Sequence, residues 1–166
     1  MQRLLDQKRL FELPSQFTGY ETARTMIVSP EILQVVSPPF SADLRGRRLA
    51  EFRQWMDAFS EGGQVSIAEN PRDKPSNAMM ARVEPVKAEF FSIRVTAPEE
   101  TPGIRSLGGF GDKDKFIALT WDLRELIENF DDEVEIVQTA WTGLFGTEPP
   151  HSGEHLDEYL SNYISI

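Results

Sequence analysis

Cysteine is missing altogether from the 166 residues, and histidine occurs only twice, at His151 and His155. Without thiols there is no disulfide framework, no thiolate nucleophile, and no Cys-ligated zinc or iron-sulfur cluster. Histidine-dependent chemistry has only one short stretch to run through. Long apolar runs are lacking too. No stretch approaches the roughly 18 residues of a membrane span, and the opening MQRLLDQKRLFELP is broken by Arg3, Asp6, Lys8, Arg9 and Glu12, so it holds no signal-peptide core. A cytoplasmic protein that leaves membranes alone is the expectation.

Basic charge is the third scarcity, and it is local. The formal net charge is -10; residues 1–115 hold 16 basic and 16 acidic side chains, while 116–166 hold 11 acids and only Arg124. All the acidity therefore belongs to the last third. A chain without a strongly basic face is a poor binder of nucleic acid. It is better read as a neutral body with an acidic C-terminal surface, open to a basic protein partner or merely solvated.

What is present is a change of period along the chain. Leu4, Leu5, Leu10 and Phe11 suggest a short opening helix. Ser29-Pro30-Glu31 has the residues of a helix start, with Ser as N-cap, Pro at the first helical position and an acid in the first turn. Ser41 is placed to cap the next helix, on which Leu49, Phe52, Trp55, Met56 and Phe59 recur at helical spacing until Gly62-Gly63. Gln64 to Ala68 alternates like a strand, and 69–77, with two prolines and no apolar residue, reads as an exposed loop.

From 78 to 121 the period becomes two. Phe91, Ile93 and Val95 alternate with Ser92, Arg94 and Thr96; Ile104 to Phe110 and Phe116 to Trp121 follow, with turns at Pro98, Pro102-Gly103 and Gly111-Asp112. Connections this short make an antiparallel meander. Helical spacing returns with Asp122 and Glu125 as a capping pair before Leu126, Ile127 and Phe130, then in Val134, Val137, Trp141, Leu144 and Phe145, and finally in Leu156, Tyr159, Leu160, Tyr163 and Ile164. The expected fold is α+β: one domain over 1–166, a small antiparallel sheet of about three to five strands with helices on one face, and an acidic helical third from about 122 to 166.

Four constellations invite chemistry. His151-Ser152-Gly153-Glu154-His155 spells an inverted zinc-protease string, H-x-x-E-H. That chemistry needs both imidazoles on one helical face and a distant third ligand, and Gly153 inside the string and Pro149-Pro150 before it argue for a polar loop instead. No metal and no cofactor is expected, with His151 and His155 the residues to watch. Gly108, Gly109 and Gly111, followed by Lys113, could let a ligand approach the backbone. No G-x-G-x-x-G or Gly-Lys-Ser/Thr accompanies them, so a bulged hairpin is the plainer reading.

Arg94 and Arg105 would hold a phosphate or carboxylate if they project from adjacent strands on one face, as in compact ribonucleases. Neighbouring Glu84, Glu89, Glu99 and Glu100 could instead pair with the sheet cations. With His155 these arginines are the candidate catalytic groups. The three tryptophans, Trp55, Trp121 and Trp141, fit core positions. Function is accordingly expected to be that of an interaction or regulatory module acting through the acidic C-terminal surface on an unknown partner, with a homodimer as a natural form. The alternatives are a small-ligand binder or enzyme at the glycine hairpin and an RNA-acting domain using Arg94 and Arg105.

Overall fold

A computed structural model describes residues 1–14, 23–96 and 103–166; the turn residues Pro98 and Pro102 and the acids Glu99 and Glu100 lie outside them. Four helices and eight strands form: α1 (Gln2–Asp6), β1 (Phe11–Glu12), β2 (Thr25–Val28), α2 (Pro30–Val35), α3 (Leu44–Ser60), β3 (Val65–Ala68), β4 (Met80–Arg82), β5 (Phe90–Val95), β6 (Ile104–Asp112), β7 (Lys115–Leu123), α4 (Phe130–Phe145) and β8 (Tyr163–Ser165). All the strands belong to one sheet in the order β1-β2-β7-β6-β5-β4-β3-β8. None of the helices is long and apolar enough to cross a membrane.

The α+β class holds, but the small antiparallel sheet of three to five strands does not. The β5-β6-β7 meander is its antiparallel centre. On its flanks β2 runs parallel to β7, and β3 runs parallel to both β4 and β8. The parallel pairs come from long excursions: α2 and α3 carry the chain from β2 to β3, and α4 carries it from β7 to β8. Of these flanking strands β3 shows its alternation in the sequence at 64–68, whereas β2, β4 and β8, three or four residues each, carry too little periodicity to be seen beforehand.

Helices also cover both faces rather than one. On one face Ile32, Val36, Phe52, Met56 and Phe59 of α2 and α3 pack on Met26, Ile67, Met80, Phe91, Ile93, Phe110 and Phe116. On the other, Leu4, Val134, Val137 and Trp141 of α1 and α4 pack on Ile27, Phe90, Leu107, Ile117 and Leu119. In the first core Phe110 stands edge-on to Phe116 at 5.0 Å and to Phe91 at 5.3 Å. A doubly covered centre explains why β5 buries five of its six residues.

Helix ends follow local chemistry with small displacements. The Ser29 hydroxyl accepts from the Ile32 N–H at 3.3 Å and starts α2 as expected. At α3 the cap is Asp43, whose Oδ1 accepts from Gly46 N–H at 2.7 Å and from the Ser41 hydroxyl at 2.7 Å. Gly62, at φ +83°, then turns the chain out of the helix.

The C-terminal third departs most. Asp122 stays in β7, Arg124–Leu126 makes one 3-10 turn, and Asn129 caps α4. The expected terminal helix is a single 3-10 turn, Leu156–Glu158, followed by Asn162 at φ 52° and then β8.

Candidate functional site

The two-residue alternation that builds β5 and β6 decides the site. Ser92 and Arg94 share one face of β5, and Arg94 lies directly opposite Arg105 on β6. That face is the one α4 covers, so these polar side chains point into a cleft under the N-terminal end of α4. Its lining is Pro71, Lys74, Glu84, Ser92, Arg94, Arg105, Arg124, Phe130 and Asp131, around a volume of about 410 Å³. Segment 69–77, expected to be an exposed loop, folds in as one wall: the Arg94 guanidinium donates to the Pro75 carbonyl at 2.7 Å, and the Lys74 ammonium sits 5.0 Å from the centre of the Phe130 ring.

Four cations therefore converge on one cleft. Among the described residues, none of Lys74, Arg94, Arg105 and Arg124 has a carboxylate within ion-pair distance. Of the acids expected to pair with the sheet cations, Glu89 does so with Arg82 of β4, whereas Glu84 pairs with Arg72 at 2.8 Å, and neither reaches Arg94 or Arg105. Arg105 instead donates to the Ile104 carbonyl at 2.9 Å, and Arg124 to the Ile127 carbonyl at 3.2 Å.

Like charges directly opposite on a sheet destabilise it, and the ionisation of the cluster registers that cost. Burial, then Arg94 and Arg124, pull Arg105 down to about 10. Burial lowers Arg94, and burial together with Arg94 and Arg105 lowers Lys74 against an opposing pull from Glu84. Each group would hold its proton more firmly beside an anion.

Ser92 sits at the floor, only 1% exposed. Among the described residues no hydrogen-bond partner reaches its hydroxyl, although it is in the cleft wall. With neither a histidine nor a carboxylate bonded to it, that hydroxyl is placed as a hydrogen-bonding group and not as an activated nucleophile. The cleft thus supplies guanidinium, ammonium and hydroxyl donors around a space of ligand size.

The other sequence candidates lie apart from this cleft. A Cβ on Gly108 would meet the Ile117 carbonyl oxygen at 1.9 Å, and one on Gly109 would meet Pro150 at 2.9 Å and Trp141 at 3.1 Å. Both glycines admit close packing, at the register shift beside Leu107. Gly111 packs toward Ile117, and Lys113 is exposed in the β6-β7 turn. Gly109→Ala should cost about 1–3 kcal/mol in denaturant unfolding through overpacking. It should leave anion binding untouched.

His151 and His155 lie in a non-helical stretch, not on one helical face. His151 Nε2 is 3.0 Å from the Glu158 carbonyl oxygen, and the Glu158 carboxylate accepts from the Glu154 and His155 N–H groups. Among the described residues no group of three metal-binding side chains forms. Neither histidine lines the cleft.

Of the sequence candidates the structure brings Arg94 and Arg105 together in the cleft, beside Lys74, Ser92, Arg124 and Phe130, which the sequence reading did not single out. Arg124 did carry a signal as the single base of an acidic stretch. Compared with protein-family models, with curated proteins and with solved structures, the chain has no significant match.

Proposed function

We propose that this chain binds a small, multiply charged anion in the cleft beneath α4. The observation that carries the reading is the direct pairing of Arg94 with Arg105 on the floor of a cleft that holds two further cations, none of the four having an ion-pair partner among the described residues. A cluster of like charges of this kind costs stability, and a guest anion offsets the cost by charge-assisted hydrogen bonds. A long polyanion fits less well, because Glu84 and Asp131 also line the cleft and the chain as a whole carries -10. A cytoplasmic setting belongs to the same proposal.

Thermal melts in a neutral low-salt buffer test it, with inorganic phosphate, sulfate and malonate added separately. A ligand at 100 times its Kd adds about 2.7 kcal/mol to the folded state, so at least one of these anions should raise Tm by several degrees. Arg94→Met should abolish the rise. No shift with any of the three, or an undiminished shift in the variant, would sink the reading.

The interaction-module reading keeps one foothold on the outward face of α4. There Ile136 is 51% exposed beside Asp132 and Glu135. By charge complementarity its occupant is a basic protein, whereas two copies of so acidic a face would repel one another.

A further inference from the structure

The cleft discriminates among anions by more than charge. Its lining holds four cations, Lys74, Arg94, Arg105 and Arg124, and two carboxylates, Asp131 and Glu84, the latter shared with Arg72 outside the lining, so at least two positive charges are unmatched. A dianion offsets two of them. At the floor three donor side chains share one face of the sheet: Ser92 and Arg94 on β5, and Arg105 at the position of β6 opposite Arg94. The Ser92 hydroxyl is nearly sealed and unpartnered among the described residues, so a guest oxygen must reach down to it. A planar carboxylate presents two oxygens in one plane, whereas a phosphoryl group presents three terminal oxygens and carries close to two charges at neutral pH. Three converging donors match the second geometry.

Size extends the argument. At about 30 Å³ for each water-sized oxygen, a phosphoryl group occupies on the order of 100 Å³, a fraction of the 410 Å³ present. The remaining space is bordered by Pro71 and Phe130, the apolar members of the lining. Lys74 lies over the Phe130 ring, so a cation stands at this apolar border.

We infer that the ligand is a phosphomonoester, its phosphoryl group seated on Ser92, Arg94 and Arg105 and its organic part lying along Pro71 and Phe130. The inference rests on the anion-binding reading of the same cleft, and the experiment separates the two. Calorimetric titrations of the full chain at low salt use four probes: inorganic phosphate, phenyl phosphate, malonate and benzoate. Malonate matches the charge of phosphate without its tetrahedral shape, and benzoate matches the ring of phenyl phosphate without its phosphoryl group.

Phosphate should bind about tenfold tighter than malonate, the difference one hydrogen bond to a charged group supplies. Phenyl phosphate should gain roughly another fivefold from the ring contact, and benzoate should be the weakest. Ser92→Ala, a small change at a buried position, should lower phosphate affinity about tenfold and leave malonate unchanged. Phe130→Ala should erase the phenyl phosphate advantage while inorganic phosphate binds as before. Should the Phe130 variant unfold, Pro71→Ala from the other side of the border should reduce the same advantage.

Equal affinities for malonate and phosphate, or no effect of Ser92→Ala on phosphate, would overturn the phosphoryl assignment while leaving anion binding intact. Equal affinities for phosphate and phenyl phosphate would overturn the ester assignment. Failure of all four probes to bind would remove the anion-binding reading itself.

Discussion

Replacing Arg24 with Met should cost about 3–5 kcal/mol of unfolding free energy, a large share of the 5–15 kcal/mol typical of a folded domain. The side chain is among the largest that are fully buried. Its Nη1 donates to the carbonyls of Phe59 at 3.2 Å and Gly63 at 2.8 Å; its Nη2 donates to Ser161 and, at 3.2 Å, to Asn162. Its Nε lies 3.4 Å from Asp114, and the guanidinium stacks 5.2 Å from the centre of the Phe59 ring. One planar fork thus ties the end of α3 and the β6-β7 turn to the approach to β8. Burial depresses the Arg24 ionisation and Asp114 opposes that, so the charge is held at a cost.

Met would fill the volume and relieve that cost, but it would remove the guanidinium from four carbonyls and from Asp114; Phe59 and Asn162 keep a second donor in the Gly62 and Val65 N–H groups, while Gly63 and Ser161 lose the guanidinium. Lys, with three donors on one compact head, should recover only part of the loss because it cannot reproduce the fork. Denaturant unfolding gives the magnitude, and hydrogen exchange gives the place. The Val65 amide, which donates to the Asn162 carbonyl at 3.2 Å, and the β8 amides should lose protection first. A loss under about 1 kcal/mol, the scale of a single ordinary hydrogen bond, or uniform exchange across the sheet, would contradict this account.

This contact network shows why the last strand was not legible in the sequence. Leu156, Tyr159, Leu160, Tyr163 and Ile164 keep helical spacing, and local pattern alone makes them a helix. What prevails is tertiary: Arg24 captures the 161 and 162 carbonyls, and Asn162 adopts φ 52° while its amide donates to the Gly62 carbonyl at 2.8 Å. Partners about 100 residues or more away leave no trace in a local window. Tyr159 is held likewise, its hydroxyl 2.7 Å from Glu89 and 2.9 Å from Arg82.

Where local signals suffice, they told the truth. The Ser29-Pro30 cap, the stop at Gly62 and the meander all follow from residues within a few positions of one another. The site was half legible for the same reason. Alternation along β5 and β6 put Arg94 and Arg105 on one face, but their surroundings depend on α4 folding back over that face. Ser92 and Arg94, read as solvent-facing, are polar side chains on a covered face, where an apolar residue would be the default. That mismatch between pattern and burial is what marks the cleft.

The mismatch has a thermodynamic sign, and Arg105→Met reads it. In the folded state Arg105 is pulled down to about 10, first by burial and then by Arg94 and Arg124. At neutral pH the folded and unfolded forms both carry the proton, so the whole penalty for holding the charge is present. It is relieved only as pH rises through the folded value toward the ordinary one. Each pH unit between those two values is worth about 1.4 kcal/mol, and after allowance for solvent screening of a half-buried group the penalty is about 2 kcal/mol. Met retains much of the side-chain volume. It forfeits the bond to the Ile104 carbonyl, worth about 1 kcal/mol. The ligand-free variant should therefore be about 1 kcal/mol more stable than the parent, a rise of roughly 2–4 °C in Tm, and its melting temperature should no longer respond to phosphate. A site shaped for folding alone would show the reverse order, with the variant melting lower. Two further readouts separate charge relief from a chance gain in packing. The stability difference should be flat from about pH 6 to 8 and shrink above about pH 10, where the parent sheds the proton. In the Arg94→Met background the gain should be smaller, because its opposing charge has already gone.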